Sequence, residues 1–488
     1  MICDSERLKK NQKHPSPRTN KKRAESESLF QSSSQLSTNS PKEFLFLCTK
    51  ISSVIIMSSA GDGDQDRHSR GPPFPCRIPD STRKRERLFN HKTHSFELLP
   101  PSSSTHNHQD QYRAPRRNDA VSLGFIPLLL FLPDELIEEI LSRLPVKSLL
   151  RFRCVCKRWN SLISDPYFVR KHLRLSTQSP NFTHHRIILS CTTAEFNFKS
   201  CHVNSLFNNP STISEDLHYP VKNKFRHDGI IGSCHGLLCF AIKAESVLLW
   251  NPSIRVSKKS PPLGNNWRPG CYTAFGFGYD HVTDDYKVVA VFCDANVYFN
   301  ETKVKIYSMA SNSWRKIQDF PFGVTPYQNS GKFVSGSLNW AANYSSGPTS
   351  LWVIVSLDLH SETYREVHPP EYEKEECSTP TLGVLKGCLC MNYDHKKTHF
   401  VVWLMKDYGV RESWMKLVSI PYLPNPEDFS YSVPYCISKN GKVLLMFEFD
   451  LVLYDPKDQS FKYPRIEGGK GWFDAEVYVE TLVSPVQR

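Results

Sequence analysis

No CxxC pair occurs among the 15 cysteines, and the chain has no HExxH, no GxSxG, no phosphate-cradling glycine loop and no paired-carboxylate arrangement. Each gap removes a class: thiolate zinc sites, zinc proteases, hydrolases with a nucleophile elbow, nucleotide-dependent enzymes and two-carboxylate hydrolases. The close pairs Cys154/Cys156 and Cys388/Cys390 leave one residue between ligands, a gap that common zinc sites do not use, so buried free thiols are expected. Cys234 and His235 are adjacent, and adjacency does not create the spatial pairing a thiol nucleophile needs. No catalysis, cofactor or metal is therefore expected. Long apolar runs are missing too: 44–57 is interrupted by Thr49 and Lys50, and 121–132 falls well short of the roughly twenty residues that span a bilayer. No membrane association is expected. The first residues lack the short basic start and apolar core of a secretory leader, which points to a reducing compartment, cytoplasm and/or nucleus.

What is present is unevenly distributed. Residues 1–130 carry 21 Lys and Arg against 13 Asp and Glu, a net of +8 of the chain's +12. That stretch is rich in Ser, Pro, Asn and His and has no sustained period, so it cannot bury enough apolar surface to offset ordering and is predicted to be disordered. Its basic clusters, Lys21-Lys22-Arg23 and Arg83-Lys84-Arg85 with Arg87, suit nuclear import or loose nucleic-acid contact, but short basic runs are most often solvated tail. Nucleic acid is not the expected partner.

Residues 131–173 read as four short helices. Leu132-Pro133 starts the first, with Asp134 and Glu135 at the positive end of its dipole, and Pro145 closes it. Leu136, Ile137, Ile140, Leu141 and Leu144 fall in one arc of roughly 140°, opposite Glu135, Glu138, Glu139, Ser142 and Arg143. Leu149, Leu150, Phe152 and Val155, then Trp159, Leu162 and Ile163, mark two more helices. Asp165-Pro166 caps and starts a fourth that carries Tyr167, Phe168 and Leu173. A unit this small has more large apolar side chains than it can bury alone, so it needs a partner.

The order LPDELIEEILSRLPVKSLLRFRCVCKRWNSLI resembles the F-box motif, particularly as found in large plant families. The resemblance implies a helical hook that docks a Skp-type adaptor, which in turn holds a cullin scaffold and its ubiquitin-transfer machinery. Carried over by position, Leu132, Pro133, Leu136, Ile140, Leu141, Leu144, Pro145, Leu149, Leu150 and Trp159 would form the adaptor contact and its supporting core.

Behind the hook the sequence repeats. Trp314, Tyr364, Trp414 and Phe461 recur at a period close to fifty, each after a β-rich segment and a turn, with LLWNPSIRV at 248–256 as an earlier copy. Glycine-led strands precede them at Gly236, Gly336, Gly387 and Gly441. Such units of several short strands suggest a β-propeller. Five are visible, 185–203 is a candidate sixth, and a terminal strand such as 476–483 is expected to complete a blade formed by the early part of the domain. SCHGLLCF, GFGYDHVTDDYKVVAV and YSMASNSWRKI resemble signatures of the plant F-box-associated domain often labelled kelch-like, although paired glycines are missing from the units.

The expected fold is α+β multidomain: a disordered extension over 1–130, a small all-α F-box over 131–175 and an all-β propeller-like domain over 181–485. The recurring aromatics read as blade core. Trp267, Tyr327, Tyr344, Tyr408, Tyr431 and Trp472 lie outside the pattern and are candidates for a partner surface, as is the charged loop of Glu371, Glu373, Lys374, Glu375 and Glu376. With the resemblance, these features imply the substrate-recognition subunit of an SCF-type ubiquitin ligase. The alternative is an adaptor-binding scaffold that acts without cullin. The target protein and the residues that bind it are not legible.

Overall fold

Backbone geometry follows the turn and cap chemistry of the sequence. A computed structural model describes residues 133–486 apart from 192–196, 222–227, 244, 265–270, 295–301, 322, 344–351, 372–378, 423–431, 448 and 468–471. The extension read at 1–130 lies outside the described residues. Four helices come first: α1 Asp134–Leu141, α2 Val146–Phe152, α3 Lys157–Ser164 and α4 Pro166–Thr177. Asp165 caps α4 as its type predicts, its Oδ1 accepting the N–H groups of Tyr167 at 2.8 Å and Phe168 at 3.3 Å. The first helix ends a turn earlier than Pro145, which instead sits at the N-cap of α2.

Six antiparallel blades of four strands follow among the described residues, and a short parallel pairing of Ser330–Val334 with Cys271–Asp280 joins two of them into one larger sheet. Blade 2 runs outward through Gly229–Cys234, Leu237–Ile242, Ser246–Asn251 and Val256–Lys259. Blade 3 comprises Cys271–Asp280, Asp285–Asp294, Thr302–Ser308 and Ser313–Lys316. Blade 4 comprises Ser330–Val334, Ser337–Asn343, Trp352–Asp358 and Tyr364–Val367. Blade 5 comprises Thr381–Leu385, Cys388–His395, His399–Met405 and Trp414–Pro421. Blade 6 comprises Cys436–Ile437, Val443–Phe447, Asp450–Asp455 and Ser460–Lys462. Blade 1 joins both ends of the domain: Trp472–Val479 is its inner strand, followed outward by His185–Cys191, Asn197–His202 and Glu215–Leu217. The closing strand expected at 476–483 is therefore displaced by four residues at both ends, and its Trp472 fills the gap between blades 6 and 1.

Strand alternation turns these sheets into a ring. Val288 and Ala290 face blade 2, whereas Val289 and Val291 face blade 4, so the strand is apolar throughout. The same division sends Ile187 and Leu189 toward blade 6 and Ile188 toward blade 2, and Leu444 and Met446 toward blade 1 but Leu445 toward blade 5. A separate apolar cluster fills each of the six interfaces, including the one that closes the circle. The glycine that leads the second strand of several blades has a conformational cause. His235-Gly236, Ser335-Gly336 and Lys386-Gly387 take positive φ at both positions, as two-residue type I′ hairpins require.

Three of the four recurring aromatics are latches as well. Trp314 Nε1 donates to Pro261 O at 3.0 Å, Tyr364 OH to Gln318 O at 3.2 Å and Trp414 Nε1 to His368 O at 2.9 Å. Each bond reaches from the outer strand of one blade to the segment leaving the blade before it. The fifty-residue period is thus the spacing of a repeated inter-blade hydrogen bond.

A buried ion pair within blade 3 also reaches blade 4. Lys287 Nζ donates to Asp280 Oδ2 at 2.9 Å and to the blade 4 carbonyl of Leu359 at 2.7 Å. Burial alone would raise the Asp280 carboxyl, but hydrogen bonds from Thr283, Lys287 and the turn N–H groups outweigh it and hold the group well below the usual range. Replacing Lys287 by Ala leaves that carboxylate buried without its cation. The expected loss is about 3–5 kcal/mol in urea unfolding, against under about 0.5 kcal/mol for Ala at exposed Lys316.

Candidate adaptor-docking surface and its junction with the propeller

The apolar arc of α1 divides in two. Leu141 and Leu144 turn inward and join Val146, Leu149, Trp159, Ile163 and Phe168 in the helical core, whereas Leu136 stays 44% and Ile140 42% exposed. The outward pair are one helical turn apart, so they form a stripe. Pro133 and Pro145 are also exposed and Leu150 is half-buried; Leu132 lies outside the described residues. Of the ten residues carried over by the resemblance, Leu141, Leu144, Leu149 and Trp159 are thus internal support, because packing within the unit consumes their surface.

Charge holds the stripe outward. Lys171 of α4 lies 2.8 Å from Glu138 and 3.1 Å from Glu139, which also binds Arg143, so the acidic side of α1 is tied to α4. Burial pushes Glu139 up, but the hydrogen bonds from Arg143 and Lys171 prevail and lower it. Trp159 packs edge-on against Phe152 at 5.3 Å, and its backbone N–H donates to Cys156 Sγ at 3.4 Å at the start of α3.

Two features at the joint with blade 1 escaped the sequence reading. The first is Arg186, buried in the first strand: its Nε donates to Ser200 Oγ at 2.9 Å, Nη1 to His202 Nε2 at 3.0 Å and Glu480 Oε1 at 3.3 Å, and Nη2 to Glu215 Oε2 at 3.1 Å. One guanidinium so joins the other three strands of the closing blade or their flanks. The second is a group of histidines where α4 meets that blade. The run His184-His185-Arg186 just before an apolar strand was the available signal, but nothing local shows what those side chains reach.

Chemical candidates elsewhere resolve as structure. Cys234 is buried, which pushes its thiol far from ionisation, and His235 Nδ1 lies 3.1 Å from Tyr286 OH. Among the described residues no group of three or more His, Cys, Asp or Glu is arranged to hold a metal, and no helix is long and apolar enough to cross a membrane. Two partner-surface candidates need correction. Trp472 is core between blades 6 and 1, and Tyr408 OH is committed to Asn339 Oδ1 at 2.7 Å and Ser356 Oγ at 2.8 Å. Tyr327 is 54% exposed and stacks edge-on on Trp352 at 5.3 Å. Trp267, Tyr344, Tyr431, Glu373, Lys374, Glu375 and Glu376 lie outside the described residues, and Glu371 pairs with Arg411 at 3.0 Å.

The F-box domain model matches residues 129–171, and the F-box associated beta propeller domain model matches residues 189–483. The chain belongs to the plant F-box proteins with an F-box associated beta-propeller domain. An Arabidopsis thaliana F-box/kelch-repeat protein is 40% identical over 360 residues, 72% of this chain and 96% of that protein. The Arabidopsis thaliana F-box protein CPR1 is 29% identical over 376 residues, 72% of this chain and 88% of that protein. Among solved structures, the Aleuria aurantia lectin aligns at a TM-score of 0.33 and 10% identity over 59% of this chain and 98% of its own, too distant to carry an argument.

Within this F-box, support and surface separate by mutation. Trp159→Ala is expected to cost about 3–5 kcal/mol. Leu136→Ala and Ile140→Ala should each cost under about 1 kcal/mol, because their side chains are already half in water. Chemical denaturation followed by circular dichroism checks both.

Proposed function

We propose that this F-box protein is the substrate-recognition subunit of an SCF-type ubiquitin ligase. Its F-box docks a Skp-type adaptor, and through it a cullin scaffold, while the propeller holds a target protein. The observation that carries this reading is the exposed stripe of Leu136 and Ile140 on a family-identified F-box whose core, from Leu141 and Leu144 to Ile163 and Phe168, is already buried. Covering two large aliphatic side chains yields roughly 1.5–3 kcal/mol each when burial is complete, and Pro133, Pro145 and Leu150 extend the surface. Leu132 is assigned to the same contact by the resemblance. The working division is the one read from the sequence, 131–175 for the adaptor and 181–485 for the target, with 1–130 as a solvated extension in a cytoplasmic or nuclear protein.

The mechanism is proximity. Holding a target beside a ubiquitin-charged enzyme raises the effective concentration of its lysines, with no reacting group from this chain. A rigid ring suits that task, since a target held at a fixed distance loses less of the gain to motion.

Purification from plant cells under proteasome inhibition is expected to recover a Skp-type adaptor and a cullin. Leu136→Asp with Ile140→Asp should reduce adaptor recovery by at least about tenfold while leaving the melting temperature of the propeller unchanged. Leu132→Ala with Pro133→Ala should act in the same direction. Full adaptor recovery by the Asp pair contradicts the docking surface, and adaptor without cullin favours the scaffold reading. Steep salt dependence of nucleic-acid binding would instead favour a role for the basic extension.

A further inference from the structure

We propose that the joint between the F-box and the propeller is a pH-sensitive hinge, in which α4 packs on blade 1 only while His172, His184, His185 and His202 are neutral. The joint is short: α4 ends at Thr177 and the first strand begins at His185. Within it His172 and His184 meet edge to face, their ring centroids 5.9 Å apart, and His185 meets Phe182 in the same way at 5.2 Å. The backbone pins the far side, with Glu480 N–H donating to His184 O at 2.8 Å.

Hydrogen bonding fixes the neutral forms of His172 and His202. His172 Nε2 donates to Leu144 O at 2.9 Å, which leaves its Nδ1 as a bare lone pair, and that atom is buried without a hydrogen-bond partner. The Nδ1 atoms of His184 and His185 are likewise buried without a hydrogen-bond partner. His202 Nε2 accepts from Arg186, which an imidazolium cannot do. A proton added at one of the three buried Nδ1 atoms creates a cation with no acceptor, and one added at the exposed His202 breaks its bond to a guanidinium already present.

The surrounding charges do not relieve this. The titratable neighbours of His184 are His172, His185 and His202. Around His202 stand Arg186 and Glu215, and Arg186 also engages Glu215 and Glu480. Lys147 of α2 faces Glu480, and Lys171 of α4 is held by Glu138 and Glu139. Burial lowers His172, His184 and His185, while at the exposed His202 partial desolvation and the Arg186 guanidinium act in the same direction; His184, with the other three beside it, and His185 each fall to about 4. The folded values lie below the ordinary histidine value of 6.5, so the joint is at full strength above pH 6.5 and weakens as pH falls from there toward 4. At pH 5.5, His184 and His185 would each weaken it by about tenfold. The hinge is a property of the chain itself; that it would swing a bound target relative to the ubiquitin-charged enzyme rests on the function proposed above.

Hydrogen exchange on the full-length chain tests it, at pH 7.5 and 5.5 with rates corrected for intrinsic exchange. Protection of 166–186 is expected to fall by on the order of a hundredfold between the two pH values while Ser337–Asn343 and Cys388–His395 keep theirs. His184→Phe, and separately His185→Phe, should each recover about tenfold of the loss. The proposal is overturned if 166–186 stays protected at pH 5.5, if it opens together with blades 4 and 5, or if a folded variant loses as much as the parent chain. None of these readings depends on adaptor binding, so failure of the hinge and failure of the ligase assignment are distinguishable.

Discussion

The pairing of Trp472–Val479 with His185–Cys191 is the constraint on which the rest of the structure depends. It joins segments almost three hundred residues apart and converts five consecutive sheets and a fragment into a ring of six four-stranded blades. Arg186 locks the join by binding strands and flanks on both sides of it. A second connection, the parallel pairing of Ser211–Ile213 with Arg465–Glu467, straps blade 1 to the segment leaving blade 6 on the outside. Every blade needs a neighbour on each face, because alternate residues of its strands are apolar on both sides. Closure is therefore what lets the remaining interfaces be complete.

The same join determines where the F-box can be. Helix α4 runs into the first strand of the closing blade through seven residues, so the helical unit sits against the one blade built from both chain ends. A unit of about forty residues would be marginal alone. Here its core is completed inward by Leu141, Leu149, Ile163 and Phe168, and its outward stripe of Leu136 and Ile140 stays exposed. The division of labour follows from packing: the ring supplies a rigid body, and the F-box supplies an unsatisfied face.

Much of this was legible in the sequence, and the parts that were not share a cause. Caps and turns act over a few residues, which is why Asp165-Pro166 and the glycine-led hairpins read correctly. The fifty-residue period was legible as spacing, although its meaning as a hydrogen bond from Trp314, Tyr364 and Trp414 to the preceding blade needed three dimensions. Trp472 and Tyr408 looked like surface aromatics because they fall outside that period, yet the ring buries one and hydrogen-bonds the other. Arg186 was invisible because its partners lie from 14 to 294 residues away. The apolar arc of α1 was clear from periodicity, but periodicity cannot say which half of an arc a partner will cover.

Native-state hydrogen exchange in increasing denaturant tests the closure most directly. If the join holds the ring, the amides of 186–189 and 475–478 exchange only through global unfolding, together with the central strands of blades 3 and 4. Exchange of the closing pair at a free energy clearly below that of blades 3 and 4 would show a ring that opens at its seam while the rest stays folded, and would contradict the account.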